Sequence, residues 1–284
     1  MDATEFNRDY SKQKTFYFAF LSDLHIDSNT AKLSHMIDDL EFYKKIGASV
    51  MINGDVVDLI IKQDRKRHTQ GNDQFHCDAQ LNAITELAIN TLSPYADNID
   101  LIGVGNHEES ILKYHGYDIT REIIKGLNSV KTNGNIVQGG YQGLTRFKFS
   151  HGNNNSTRSF TVYRHHGNGG QAPVTKGFIS FSRVLSSVSA DVYWFGHKHT
   201  APIDPDHRML YMDKAGNLKI KTLILFYTAG YQGKIIQDDY SKSGHRLSYG
   251  DTFVGQQSSD SKYLKIEFVG NKMRKTICKR GELE

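Results

Sequence analysis

Five short polar motifs follow one another along the chain: Asp23-Leu24-His25, Gly54-Asp55-Val56-Val57-Asp58, Gly105-Asn106-His107-Glu108, His166-Gly167 and Gly196-His197-Lys198-His199. Imidazoles mixed with carboxylates suit mid-series divalent metals, whereas calcium takes all-oxygen sites. Two such ions about 3.5–4 Å apart can clamp a phosphoryl group and activate water. A pair of this kind needs neutral imidazoles and only a few carboxylates, so that the ions stay Lewis-acidic, and one carboxylate must bridge them. Taken alone, each motif is as well explained by a polar turn. Five in order, each after a strand signal, are not.

One position has a rival. His151-Gly152 also reads H-G after a strand signal. His166 is preferred because it follows the Phe160–Tyr163 signal and precedes Gly169-Gly170, with a helix and then a strand before His197. His151 lies beside the Asn-rich turn Asn153–Ser156, where a hairpin tip explains it. His35, His115, His207 and His245 lack partners at motif spacing and read as surface residues, and His76-Cys77 are adjacent and poorly placed to chelate one ion.

The elements that must position these motifs alternate. Thr15 to Leu21 reads as a strand running into the first motif. Leu33, Met36, Ile37 and Leu40 follow at helical spacing, with Ser28, Asn29 or Thr30 as cap. A strand from Ala48 to Ile52 ends at the second motif, a helix from Asp78 to Leu92 stops before Pro94, and a strand from Ile99 to Val104 ends at the third. In open α/β sheets, sites form outside the carboxyl ends of strands, which is where these motifs fall. The second half is richer in strands. Leu144–Phe149, Ser159–Tyr163, Asp191–Phe195, Leu223–Tyr227 and Tyr263–Phe268 read as strands, Met209–Met212 and Leu218–Ile220 as a hairpin, and Lys176–Ser189 as a helix. No linker or repeat divides the 284 residues, so one domain is expected over 1–284, with a motif-bearing core at about 16–199 and a β-rich part at 200–284.

Composition narrows the class. With 38% hydrophobic and 23% charged residues the chain is too apolar for disorder, and no run approaches the ~18 apolar residues of a membrane span. Met1 to Lys14 is polar and does not resemble a signal peptide, so a cytoplasmic location is expected. Cys77 and Cys278 stand far apart and suggest neither a disulfide nor a cysteine metal site. A net charge of +4 suits a phosphate-bearing substrate but falls short of a dedicated duplex-DNA binder.

The ordered motifs resemble those of the calcineurin-like metallophosphoesterase superfamily, over roughly Phe16 to His199. The resemblance implies an α/β fold in which a two-sheet β-sandwich is flanked by helices, four layers in the order α/β/β/α. It implies a metal-dependent phosphoric ester hydrolase with two divalent metal ions, manganese first and iron, zinc, nickel or magnesium as alternatives. Asp23, His25 and His199 would hold one ion, Asn106, His166 and His197 the other, and Asp55 would bridge them. His107 would be the catalytic histidine that contacts phosphate and helps the leaving oxygen depart, with Asp58 orienting it. The superfamily's serine/threonine phosphatases continue the second motif with Arg-Gly. Here Leu59-Ile60 follow, so that branch is not expected. A purple-acid-type site would need a tyrosine shortly after the bridging aspartate, where Val56, Val57 and Asp58 stand.

The expected substrate is a phosphodiester of DNA or a nucleotide, similar to the repair-exonuclease branch, although the sequence carries no long coiled-coil extension. Arg65, Lys66 and Arg67 are candidate backbone contacts, and His165 is a candidate phosphate contact. The alternatives are a phosphomonoesterase acting on a small molecule or protein, and an inactive binding scaffold of the same fold. The scaffold is disfavoured by the presence of all seven ligand positions together with His107.

Overall fold

In chain order the elements are β1 (Asp2–Asp9), β2 (Thr15–Leu21), α1 (Leu33–Lys45), β3 (Ser49–Ile52), α2 (Gln80–Leu92) and β4 (Ile99–Ile102). Then come α3 (Asn106–His115), α4 (Ile119–Val130), β5 (Val137–Gln138), β6 (Gln142–His151), β7 (Asn154–His165) and α5 (Phe178–Leu185). The chain closes with β8 (Val192–Phe195), β9 (Ile203–Met212), β10 (Leu218–Tyr227), β11 (Lys262–Val269) and β12 (Lys272–Lys279). These assignments come from a computed structural model that describes residues 1–11, 13–61, 79–152, 154–169, 178–199, 203–232, 262–270 and 272–280.

Strand β2 shows how the layers arise. Its side chains alternate, so Phe16, Phe18 and Phe20 enter one core while Ala19 and Leu21 enter another. The first core lies between two six-stranded sheets, ordered β12-β11-β2-β3-β4-β5 and β1-β6-β7-β8-β10-β9. Phe147, Phe149, Phe160, Val162, Trp194 and Phe226 fill it from the second sheet. The second core packs the outer face of the first sheet under α1, α2 and α4. On the far side, Phe181 of α5 packs on Tyr163, Tyr193, Phe195 and Tyr227. The result is the four-layer α/β/β/α arrangement.

A strand buried on both faces reads as a continuous apolar run, which is why β2, β3 and β8 were visible in the sequence. Strands β2, β3, β4 and β5 are parallel, with β11 antiparallel to β2. The first sheet therefore delivers the chain after β2, β3 and β4 to one edge of the sandwich. In the second sheet β7, β8 and β10 are parallel to one another and do the same.

Several elements differ from the sequence reading. Strand β1 escapes the apolar pattern because it is a half-exposed edge, paired parallel to β6. Strand β12 is the opposite edge of the other sheet. Leu218–Ile220 and Leu223–Tyr227 are one strand, β10, with an irregularity between Leu223 and Leu225. Helix α1 starts at Leu33 after Lys32 and has no side-chain cap, because Ser28 to Ala31 complete the turn that leaves the first motif. Helix α4 buries Ile119, Ile123, Ile124 and Leu127, and Asp118 caps it by accepting the Arg121 amide. The expected helix start at Asp78, as well as Cys77, lies outside the described residues. No helix of the described residues is long and apolar enough to cross a membrane.

Candidate metal centre

The site begins as backbone. Beyond β2 and β3 the two loops run side by side: Asp23 donates its amide to the Gly54 carbonyl at 3.1 Å, His25 to Asp55 at 3.1 Å and Ile26 to Val56 at 3.0 Å. Gly54 is required here. Its φ is +80°, and a Cβ would lie 2.3 Å from the Gly105 amide nitrogen. Chain from the second sheet joins at the same edge. Gly196 donates to the His166 carbonyl at 3.0 Å, and the His197 amide lies 2.9 Å from Asp23 Oδ2.

Buried acids fasten the loops together. Glu108, only 2% exposed, accepts the amides of Gly105 (2.9 Å), Asp55 (3.0 Å), Val56 (2.7 Å) and Val57 (3.4 Å). It ties the third motif to the second. Asp27 accepts the amides of Asp58 (2.5 Å) and Leu59 (3.0 Å) and ties the second to the first. Neither role emerged from the motif reading, although a glutamate at the third position of a helix is a signal for contact with the residue before the helix.

The backbone around the cluster is costly. Among the described residues, six other than glycine have left-handed φ: Asp23 (55°), His25 (46°), Asp55 (50°), Leu59 (55°), His197 (69°) and His199 (47°). Five of these six are expected ligands. Such conformations cost on the order of 1–3 kcal/mol each and persist where the surroundings over-determine them, as functional sites do.

Side chains converge from both sheets. Ligand atoms of Asp23, Asp55, His166 and His197 lie within 4.8 Å of one another, as do those of Asp23, His25 and His199, and those of His25, Asp55 and His107. His166 Nε2 is 3.0 Å from Asp55 Oδ2 and 3.1 Å from Asn106 Oδ1, and His199 Nε2 is 3.9 Å from Asp23 Oδ1. Asp55 thus stands between the two expected ligand sets, and Asp23 reaches both. His166 Nδ1 is 2.7 Å from the Asn53 carbonyl, which fixes the ring and leaves Nε2 facing the cluster. His151 is elsewhere: exposed at the end of β6, it sits edge-on to Tyr10.

Asp58 Oδ1 lies 3.2 Å from His25 Nδ1 and 3.5 Å from His107 Nδ1, while the Asp58 carbonyl contacts His107 Nδ1 directly. Asp58 therefore meets His107 through its backbone more closely than through its carboxylate. His165 packs between Tyr141 and Phe195, and its Nδ1 accepts the Gly167 amide at 2.8 Å. Burial and the neighbouring His166 and His197 push His165 down to about 4, so it is neutral at working pH. Arg65, Lys66 and Arg67 fall outside the described residues, as does His245. His35 and His115 are exposed, and His207 pairs with Asp204.

The electrostatics fit divalent ions. Burial opposes charge on Asp55, but His166 and His107 pull its carboxyl well below the usual range. In return, and against burial, Asp58 and Asp55 lift His25 to about 9, and Asp55 and Asp23 lift His166 to about 10. Without metal, the carboxylates draw protons onto these imidazoles. Cations would supply the same charge and release the protons. Among the described residues, buried His25 Nε2 and His199 Nδ1 also have no hydrogen-bond partner, which is costly for a nitrogen left without a proton acceptor or a cation. The donor set suits a dinuclear divalent centre.

A two-sheet sandwich between helices, with this cluster at its strand ends, is the arrangement expected of a metal-dependent phosphoester hydrolase. The sequence profile of the calcineurin-like phosphoesterase family matches residues 16–201, and the chain belongs to that family. No curated protein matches its sequence. Among solved structures it is similar to a metallophosphoesterase from Sphaerobacter thermophilus, at 11% identity and a TM-score of 0.35, covering 93% of this chain and 88% of that one. It is also similar to a predicted phosphoesterase from Streptococcus pneumoniae, at 12% identity and 0.30, covering 94% and 90%. GAP50, the anchor in the inner membrane complex of Plasmodium, aligns at 10% identity and 0.43, covering 96% and 87%.

Proposed function

We propose that the site hydrolyses phosphodiesters of nucleic acid or nucleotides, with Asp23, His25 and His199 holding one divalent ion, Asn106, His166 and His197 the other, and Asp55 between them. Bound ions would supply Lewis acidity toward the phosphoryl oxygens and lower the pKa of water. The chain's own part in the reaction falls to His107. With Nδ1 engaged by Asp58, its Nε2 points back toward the cluster, 4.0 Å from Asp55 Oδ2, where it can give a proton to the leaving oxygen. Its side chain is 13% exposed against 2% for His25, which suits the group that meets substrate.

The observation that favours a diester is the burial of Leu59 and Ile61, 3% and 4% exposed, in the core beneath the helices. The stretch that would supply a phosphate-gripping arginine packs inward instead. Among the described residues, neither Asp23 nor Asp55 pairs with a lysine or arginine. A diester carries one negative charge where a monoester carries up to two, so it needs less cationic grip. Arg65, Lys66 and Arg67 follow in sequence and would meet the nucleic-acid backbone.

The test is a panel with manganese as the first metal: an aryl diester, an aryl monoester, cyclic nucleotides, and single- and double-stranded DNA. On a diester, kcat/KM should exceed that on the monoester at least tenfold. A preference for the monoester would make the site a phosphatase instead.

A further inference from the structure

The inner face of β7 ends in an unusual sequence of side chains. Phe160 and Val162 point into the core between the sheets, and two residues on, at the same face, stands Arg164, with no exposed surface. His166 follows at the next inward position. A fully buried guanidinium is costly unless it is paired and hydrogen-bonded.

Arg164 is held at two places. One Nη donates to the Gly140 carbonyl at 2.7 Å, and the other to the carboxylate of Asp2 on β1. Asp2 returns to the same turn, accepting the Gly140 amide at 3.3 Å. Space for the guanidinium comes from glycines. A Cβ on Gly139 would lie 2.4 Å from Nη2, one on Gly143 2.7 Å from Nη2, and one on Gly103 3.2 Å from Nη1. The next residue in the turn, Tyr141, accepts the His166 amide through its carbonyl at 2.9 Å. Its ring lies edge-on to His166, and its hydroxyl contacts the Gly167 carbonyl. The path from Arg164 to His166 is therefore short and continuous.

We infer that Arg164 is a positioning residue for the Asn106–His166–His197 half of the metal centre: it locks the Gly139–Tyr141 turn, and through Tyr141 it sets the backbone and ring of His166. The inference rests on His166 being a metal ligand. Groups that orient metal ligands are worth about 10–100-fold in metal affinity when removed. Global loosening would weaken both halves of the site together. Loss of the lock weakens one.

The experiment is manganese titration of the full chain by calorimetry, with electron paramagnetic resonance to distinguish a coupled pair of ions from a single one. The variants are Arg164→Met, Gly139→Ala and His166→Ala, each checked for folding by circular dichroism. Arg164→Met should keep one manganese at wild-type affinity and bind the second at least tenfold more weakly, with loss of the coupled signal. Gly139→Ala, which crowds the guanidinium without removing its charge, should do the same, and it carries the test if Arg164→Met does not fold. If His166→Ala loses one ion while the folded Arg164 and Gly139 variants bind both normally, the positioning role is wrong and the ligand reading stands. If His166→Ala still binds two ions, the ligand reading itself fails.

Discussion

Replacing Glu108 by glutamine keeps shape and volume but changes one oxygen into an amino group. In the wild type, one carboxylate oxygen accepts Gly105 and Asp55 and the other accepts Val56 and Val57. Whichever way the glutamine amide turns, two backbone N–H groups then face a donor. Hydrogen bonds to a charged group are worth about 1.5–3 kcal/mol each, so the gross loss is about 3–6 kcal/mol. Part is returned, because burial and the charge of Asp55 raise the Glu108 pKa and the neutral side chain escapes both. A net cost of about 2–4 kcal/mol follows. For a chain of this size that lowers Tm by roughly 5–15 °C. Urea unfolding of the metal-free proteins measures the cost, and manganese titration measures the consequence, since Asp55 and Asn106 hang from the amides that Glu108 fixes. A stability within about 0.5 kcal/mol of wild type, with unchanged metal affinity, would refute the idea that this carboxylate splices the second and third motifs together.

Three more outcomes are expected. Gly230→Ala places a Cβ 2.4 Å from His199 Nδ1 and 2.7 Å from Asp23 Cβ, so manganese affinity at the Asp23–His25–His199 half should fall about tenfold or more in titration; wild-type binding would contradict the packing. His107→Ala should retain its metal by elemental analysis while kcat drops about 10²–10⁴-fold, and near-normal turnover would remove His107 from proton transfer. In the metal-free protein, His25 and His166 titrate at about 9 and about 10 against 6.5 when unfolded, so the stability they contribute is complete below pH 6.5 and lost as pH rises through 9 to 10. Tm should therefore fall between pH 7 and 10 without metal and fall less with saturating manganese; the same slope in both would disprove that coupling.

The convergence of the five motifs was legible because each motif is a short local string placed after an apolar run, and both signals survive in one sequence. What tertiary context decides was not legible. Asp27 and Glu108 look like ordinary acids until the loops after β2, β3 and β4 are laid side by side. Arg164 reads as a strand residue beside two histidines, and only the folded chain brings Asp2 to it across β6. Strand β1, with alternate residues exposed and only Ala3 and Phe6 apolar, carries little of the apolar signal that marks β2. Helix α3 was hidden because its first residues are the third motif itself. By contrast, the spacing of Ile119, Ile123, Ile124 and Leu127 was available to reveal α4.

The proposed centre is a pair of divalent ions sharing Asp55, and calorimetric titration of the metal-free chain with manganese counts them. Two ions per chain are expected in the wild type, and loss of the coupled pair in Asp55→Ala. A wild-type chain that binds one ion or none, with zinc and iron giving the same answer, would contradict it.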